Sequence, residues 1–175
     1  MKSFLFFLCL VPGIMVGQSK SLTWQDFSFG SPVLHVKMPG ILSKQQTKLP
    51  PKAQEQVKSY EAYYLKDDPN GIVITVMYAL YASVVADAKG ASDGTVGQWE
   101  ATGTKVAILS TTDTKISGHK AVAQRGKLII GGQESDYMDV VIVDGARLWQ
   151  VIVMTRANDA SLKSVMQKIT DSISF

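Results

Sequence analysis

Apolar residues fill both alternating sets of positions from Ile72 to Tyr81: Ile72, Ile74, Val76, Tyr78 and Leu80 on one side, Val73, Met77 and Ala79 on the other. A strand with no face fit for water is predicted to be central and covered on both sides. Val57 to Leu65 is similarly rich in β-branched and aromatic residues, and Lys66-Asp-Asp-Pro-Asn-Gly71 between the two has turn composition, so they pair as a hairpin. The two-sided pattern returns in Tyr137 to Val143 and Arg147 to Met154, on either side of Asp144-Gly145, the clearest hairpin signal in the chain. From Lys105 onward an antiparallel meander is expected, with turns at Ser117-Gly118, Arg125-Gly126 and Gly131-Gly132.

The period then changes from two to 3.6. Leu162, Val165, Met166, Ile169 and Ile173 share one helical face after an Asn158-Asp159 cap, predicting an amphipathic helix over Asp159 to Ser172 with Lys163, Gln167 and Lys168 on its solvated side. Val85 to Gly103 is harder to place, because glycines stand at 90, 94, 97 and 103; Asp87 as a cap and the spacing of Val96, Trp99 and Glu100 predict a poor, short helix held by Trp99. Upstream, Trp24 to Met38 reads as a short strand or hairpin ended by Pro39-Gly40, and the polar, glutamine- and lysine-rich stretch Ser43 to Gln56 as a long loop.

At 175 residues, 46% hydrophobic and 19% charged, the chain suits one folded domain and excludes the composition of disordered chains. Lys2, the apolar run Phe4 to Val16 and the small residues Gly17 to Ser19 form the three-part pattern of a secretory signal peptide. The run is too short for a stable membrane anchor. Cleavage after Gly17 or Ser19 leaves a single domain, 18–175, secreted or periplasmic. Cys9, the one cysteine, would leave with the leader, and with it any thiolate chemistry or disulfide. A net charge of +3, or +2 without Lys2, with scattered lysines, argues against a nucleic-acid partner.

The order of these elements resembles the PsbP-like domains, a superfamily that includes DcrB-like periplasmic proteins and a nuclear-import factor. The likeness is carried by the aromatic-rich start, Met38-Pro39-Gly40, the tyrosine-containing hairpin, the helical insert, the strand Asp144-Gly-Ala-Arg-Leu-Trp-Gln-Val-Ile-Val153 and the terminal Asp171-Ser-Ile-Ser-Phe175. The resemblance implies an α+β fold, an α/β/α sandwich with a mainly antiparallel sheet and a C-terminal amphipathic helix. It implies an accessory or protein-binding role and no shared chemistry.

Candidate chemistry is thin. Gly90-Ala-Ser92-Asp-Gly94 matches the nucleophile elbow of serine hydrolases, with Asp113 and His119 following in chain order, but a turn of small residues is the favoured reading. Ser117 and Lys120 match a serine-lysine motif only if they share a helical turn, whereas Gly118 makes a β-turn of that segment. Gly97 to Lys105 fails as a phosphate loop because Thr104-Lys105 inverts the required order. His35 and His119 stand too far apart in sequence to suggest a metal site, and Asp67-Asp68-Pro-Asn70-Gly71 lacks the spacing of a calcium loop. Glu134, Asp136 and Asp139 offer carboxylates, the first two on one strand face about 7 Å apart, within the range of glycosidase pairs. Tyr60, Tyr63, Tyr64, Tyr78 and Tyr81 would serve a glycan binder or, more simply, fill a core. The expectation is therefore a non-enzymatic domain with no cofactor and no metal, binding a protein partner in the cell envelope. A small serine-type hydrolase and a small-ligand or glycan-binding module are the alternatives. Contacts are expected at Ser43 to Gln56 and Val85 to Gly103, since recognition concentrates on loops over a rigid scaffold.

Overall fold

The computed structural model describes residues 21–46, 49 and 51–175; the proposed leader and Cys9 lie outside the described residues. Strands β1 (Gln25–Phe29) and β2 (Leu34–Met38) form a separate two-stranded hairpin. The main sheet has seven strands in the order β3-β4-β5-β9-β8-β7-β6, every neighbouring pair antiparallel: β3 (Ser43–Lys44), β4 (Val57–Asp67), β5 (Ile72–Tyr81), β6 (Lys105–Ile116), β7 (His119–Ile130), β8 (Gln133–Asp144) and β9 (Arg147–Arg156). After β5 the chain crosses to the far edge through helix α2 (Ala88–Ala101) and returns by meander until β9 lies against β5. Helix α3 (Ala160–Asp171) closes the fold.

The two-sided strands dictate the layers. On one face Ile74, Val76, Tyr78, Met138, Val140, Trp149 and Val151 pack beneath α3 and the β1–β2 hairpin. On the other, Val73, Met77, Tyr137, Ile152 and Met154 pack around Trp99 of α2. The result is the expected α/β/α sandwich, with a hairpin added to the α3 layer.

The β1–β2 turn is held tightly. The Tyr78 hydroxyl donates to the Ser31 carbonyl at 2.9 Å, and Gly30, at φ +79°, approaches Trp149 so closely that a Cβ there would run into the indole. The C-terminal tail locks the same hairpin through paired backbone bonds between His35 and Ser174, while Phe175 packs edge-on against Trp149 at 4.9 Å.

Three expectations are corrected. Arg125-Gly126 is not a turn: both residues lie inside β7, where a Cβ on Gly126 would strike the Ala107 carbonyl oxygen and the Tyr137 ring. The glycine marks close packing of a neighbouring ring, a use of glycine inside strands that sequence cannot separate from a turn. The Ser43 to Gln56 stretch contributes the two-residue edge strand β3 and a one-turn helix α1 (Pro51–Gln54) rather than loop throughout. Helix α2 is poor in intrinsic helix formers and seated on Trp99, as expected, but it is not short. It runs 14 residues because Asp87 caps it by accepting from Lys89 N, Lys89 pairs with Asp93 at 2.6 Å, and Ala88, Ser92, Thr95, Val96 and Trp99 are buried. On α3 the Asp159 cap accepts from Ser161 N and Leu162 N and Lys163, Gln167 and Lys168 are exposed, as expected, and the Lys168 ammonium in addition sits 3.9 Å from the centre of the Trp24 ring.

Gly94 and Gly97 face open space, with nothing within 4 Å of an added Cβ. Converting both to alanine is expected to raise stability by about 1–2 kcal/mol in urea denaturation, since each interior helix glycine costs close to 1 kcal/mol. Gly126→Ala is expected to do the reverse, losing roughly 2–3 kcal/mol through overpacking against Tyr137.

Candidate functional site

A polar cluster lies sealed between α2 and the sheet. Register alternation puts Asp139 of β8 and Gln150 of β9 on the α2 face, where Gln150 Nε2 donates to Asp139 Oδ1 at 2.9 Å and to Thr95 Oγ1 at 3.0 Å. Ser92, Asp139 and Gln150 are wholly buried. Asp139 Oδ2 and Ser92 Oγ each lack a well-aligned hydrogen bond, yet the hydroxyl lies near enough to oppose the rise in the carboxyl's proton affinity. Burial dominates: it pushes the Asp139 pKa up to about 6, against the smaller lowering effects of Gln150 and Ser92. When protonated, the acid becomes a donor for Ser92 Oγ. Beside it, the Tyr137 hydroxyl donates to Gln124 Oε1 at 2.8 Å, and burial first, then the charge of Asp139, push that phenol to about 12.

This places Ser92 where no substrate reaches it. It sits within α2, not on a strand-to-helix elbow, and its neighbour is Asp139. Asp113 is exposed on β6 on the α2 face, opposite Val122. His119 lies on the other face, its ring 4.5 Å from Phe175. The three hydrolase candidates therefore do not meet. Ser117 and Lys120 flank the β6–β7 turn, with Ser117 Oγ accepting from Phe175 N, and Gly97 belongs to α2.

The remaining candidates have structural work. Glu134 and Asp136 share a face of β8 as predicted, but both hold the β9–α3 turn: Asn158 Nδ2 donates to Glu134 and Asn158 N to Asp136, each at 3.3 Å. Glu134 also meets Lys127 at 2.9 Å, and that bond is the chief cause of its lowered pKa. Asp67 accepts from Asn70 N and Asn70 Nδ2, closing the β4–β5 turn. Tyr78 and Tyr81 are buried, Tyr63 packs edge-on against Phe27 at 5.0 Å, and Tyr60 and Tyr64 are half-buried against the Trp99 cluster. Among the described residues no group of three or more His, Cys, Asp or Glu side chains is disposed to hold a metal ion.

Sequence reading missed one Ser–His contact. Ser28 and His35 are cross-strand partners in the β1–β2 hairpin, and Ser28 Oγ lies 2.9 Å from His35 Nδ1. The hairpin register would have disclosed it. No carboxylate among the described residues hydrogen-bonds to the imidazole, so the pair lacks the orienting acid of a catalytic triad.

A groove of about 760 Å³ opens at the N-terminal end of α2. Val85, Ala86, Ala88, Val122 and Val143 give it an apolar floor; Asp87, Lys89, Asp113, Lys115 and Lys120 rim it. Val85 is 80% exposed there. Lys115 and Lys120 stand directly opposite each other on β6 and β7, a like-charge arrangement that destabilises a strand pair on its own.

No family model matches the sequence and no curated protein matches it. Solved structures do. The solution structure of cyanobacterial PsbP (CyanoP) from Synechocystis sp. PCC 6803 superposes with a TM-score of 0.61 at 12% identity, covering 92% of this chain and 96% of that one. The fold is PsbP-like. Two weaker likenesses are to LpqN, involved in cell envelope biogenesis of Mycobacterium tuberculosis (TM-score 0.44, 11% identity, covering 92% of this chain and 82% of that one), and to PA94, a protein of unknown function and putative regulator from Pseudomonas aeruginosa (TM-score 0.43, 16% identity, 76% and 95%). Among the described residues no helix is long and apolar enough to cross a membrane.

Asp139 carries a raised folded-state pKa, so its contribution to stability is fully present below the unfolded value near 3.8 and is lost as pH rises through about 6. Asp139→Asn keeps the acceptor for Gln150 and removes the buried charge. It is expected to stabilise the protein at pH 7 by about 1–3 kcal/mol and to change little near pH 4, read as the difference between the two proteins' urea midpoints across that range.

Proposed function

We propose that this chain is an exported, non-enzymatic domain that binds a protein partner at the cell envelope, with the groove at the start of α2 as its contact region. The observation that carries the reading is the contrast between the two polar regions of the α2 face. The buried one, Ser92 with Asp139 and Gln150, is closed to substrate, whereas the open one is an apolar floor with Val85 exposed and charged side chains at its rim. Grooves of this make-up suit an extended peptide segment better than bond-breaking chemistry, since no nucleophile is set beside a base there. The PsbP-like fold is compatible with an accessory role, and the pattern from Lys2 to Ser19 supports export.

Of the two contact segments expected from sequence, the reading keeps Val85 to Gly103, and specifically its first turn. A photo-crosslinking residue at Val85 is expected to trap one protein adduct in cells. That adduct should be lost with Lys120→Glu and survive Ser92→Ala. Absence of any adduct, together with ester hydrolysis that Ser92→Ala abolishes, would overturn the reading in favour of a hydrolase. Export is checked separately by fusing residues 1–20 to a reporter, which should leave the cytoplasm; retention inside would contradict it.

A further inference from the structure

Strand β6 ends the main sheet and pairs on one side only, with β7. Nearly every residue along it is exposed, so its outer row of backbone N–H and C=O groups faces water. Such an edge is a template for another strand unless something blocks it. A bulge between Ile108 and Ser110 twists its first half, and lysines stand at 105 and 115. The second half, Ser110 to Ile116, is regular and rich in threonine.

We infer that Thr112 to Ile116 of β6 pairs antiparallel with the same segment of a second copy of the chain, joining two sheets about a two-fold axis at Thr114. The charges select that register. Asp113 lies opposite Val122 and Lys115 opposite Lys120, so both project from the α2 face, and neither Asp113 nor Lys115 has an ion-pair partner among the described residues. A two-fold axis perpendicular to the sheet keeps the α2 faces of both copies on one side, and the pleat then allows only registers that oppose residues of the same face. Centring on Asp113 would oppose two aspartates, and centring on Lys115 two lysines. Centring on Thr114 opposes Asp113 to Lys115 of the second copy, and Lys115 to its Asp113. It also answers the repulsion between Lys115 and Lys120 by bringing a carboxylate to the free side of Lys115. In this register Thr112 opposes Ile116 of the second copy, so the ladder spans Thr112 to Ile116 and ends short of the bulge at Ile108/Ser110, beyond which the alternation is reversed. Lys115 thus disfavours an uncharged strand, beside which its ammonium would lose water and gain no partner, and admits one that carries an acid two positions before its own lysine.

The inference shares Asp113 and Lys115 with the rim of the groove but does not need the partner proposed there, and purified protein tests it without that partner. Light scattering coupled to size exclusion over a dilution series is expected to show a monomer–dimer equilibrium. Asp113→Lys and Lys115→Asp should each weaken self-association by about tenfold or more, because each places like charges opposite one another twice. Mixed in equal amounts, the two variants should regain the dimer, since every cross-copy pair is then of opposite charge. Both positions are exposed, and unchanged circular dichroism confirms that each variant is folded. A wild-type monomer at every concentration, a dimer indifferent to both substitutions, or a mixture that fails to recover would each overturn the inference.

Discussion

Burial of β5, β8 and β9 on both faces is the constraint from which the rest of the molecule follows. These strands carry Ile, Val, Met and Trp at consecutive positions, so a cover on one side alone would leave a continuous apolar face in water. Two covers are required, and the chain supplies them from different places: α2 is inserted between β5 and β6, while α3 and the β1–β2 hairpin close the opposite side from the two ends of the domain. The crossing that carries α2 over the sheet also sends β6 to the outer edge, where it is the least covered long strand. The open groove and the open edge are thus consequences of how the second cover is delivered.

The same constraint explains why polar groups under α2 are structural. A helix with three glycines in its span, at 90, 94 and 97, has little intrinsic tendency to form, and Trp99 gives it one large apolar anchor against Tyr137, at 5.0 Å. Gln150, Thr95, Asp139 and Ser92 add directional contacts that an apolar seat would lack, at the cost of burying a carboxyl whose charged form is disfavoured. A serine in such a seat satisfies a glycine-serine motif by sequence and none of its chemistry by position.

Much of the fold was legible because hydrophobic period speaks directly to burial. The alternation in Ile72 to Tyr81, the Asp144-Gly145 turn and the 3.6-residue spacing from Leu162 to Ile173 each led to the element found. What stayed hidden depended on partners distant in sequence. Gly126 reads as a turn until the Tyr137 ring is known to lie against it, and α2 reads as weak until the sheet beneath Trp99 is in place. Strand β3 owes its existence to pairing with Tyr63 and Tyr64 rather than to its own two residues. For the site, sequence offered Ser92, Asp113 and His119 as a set, but could not reveal that the sheet itself separates His119 from the other two. Neither the groove nor the free outer side of β6 leaves a motif, since each is defined by what fails to cover it.

The most direct test of this account is native-state hydrogen exchange resolved by residue, on dilute protein. Two-sided burial predicts that the slowest amides lie on β5, β8 and β9 and exchange only with global unfolding, whereas the outward-facing amides of β6 exchange fastest among the long strands. Equal protection of β6 in the dilute protein, or a slowest-exchanging set centred on α2, would contradict the claim that the covered central strands hold the molecule together.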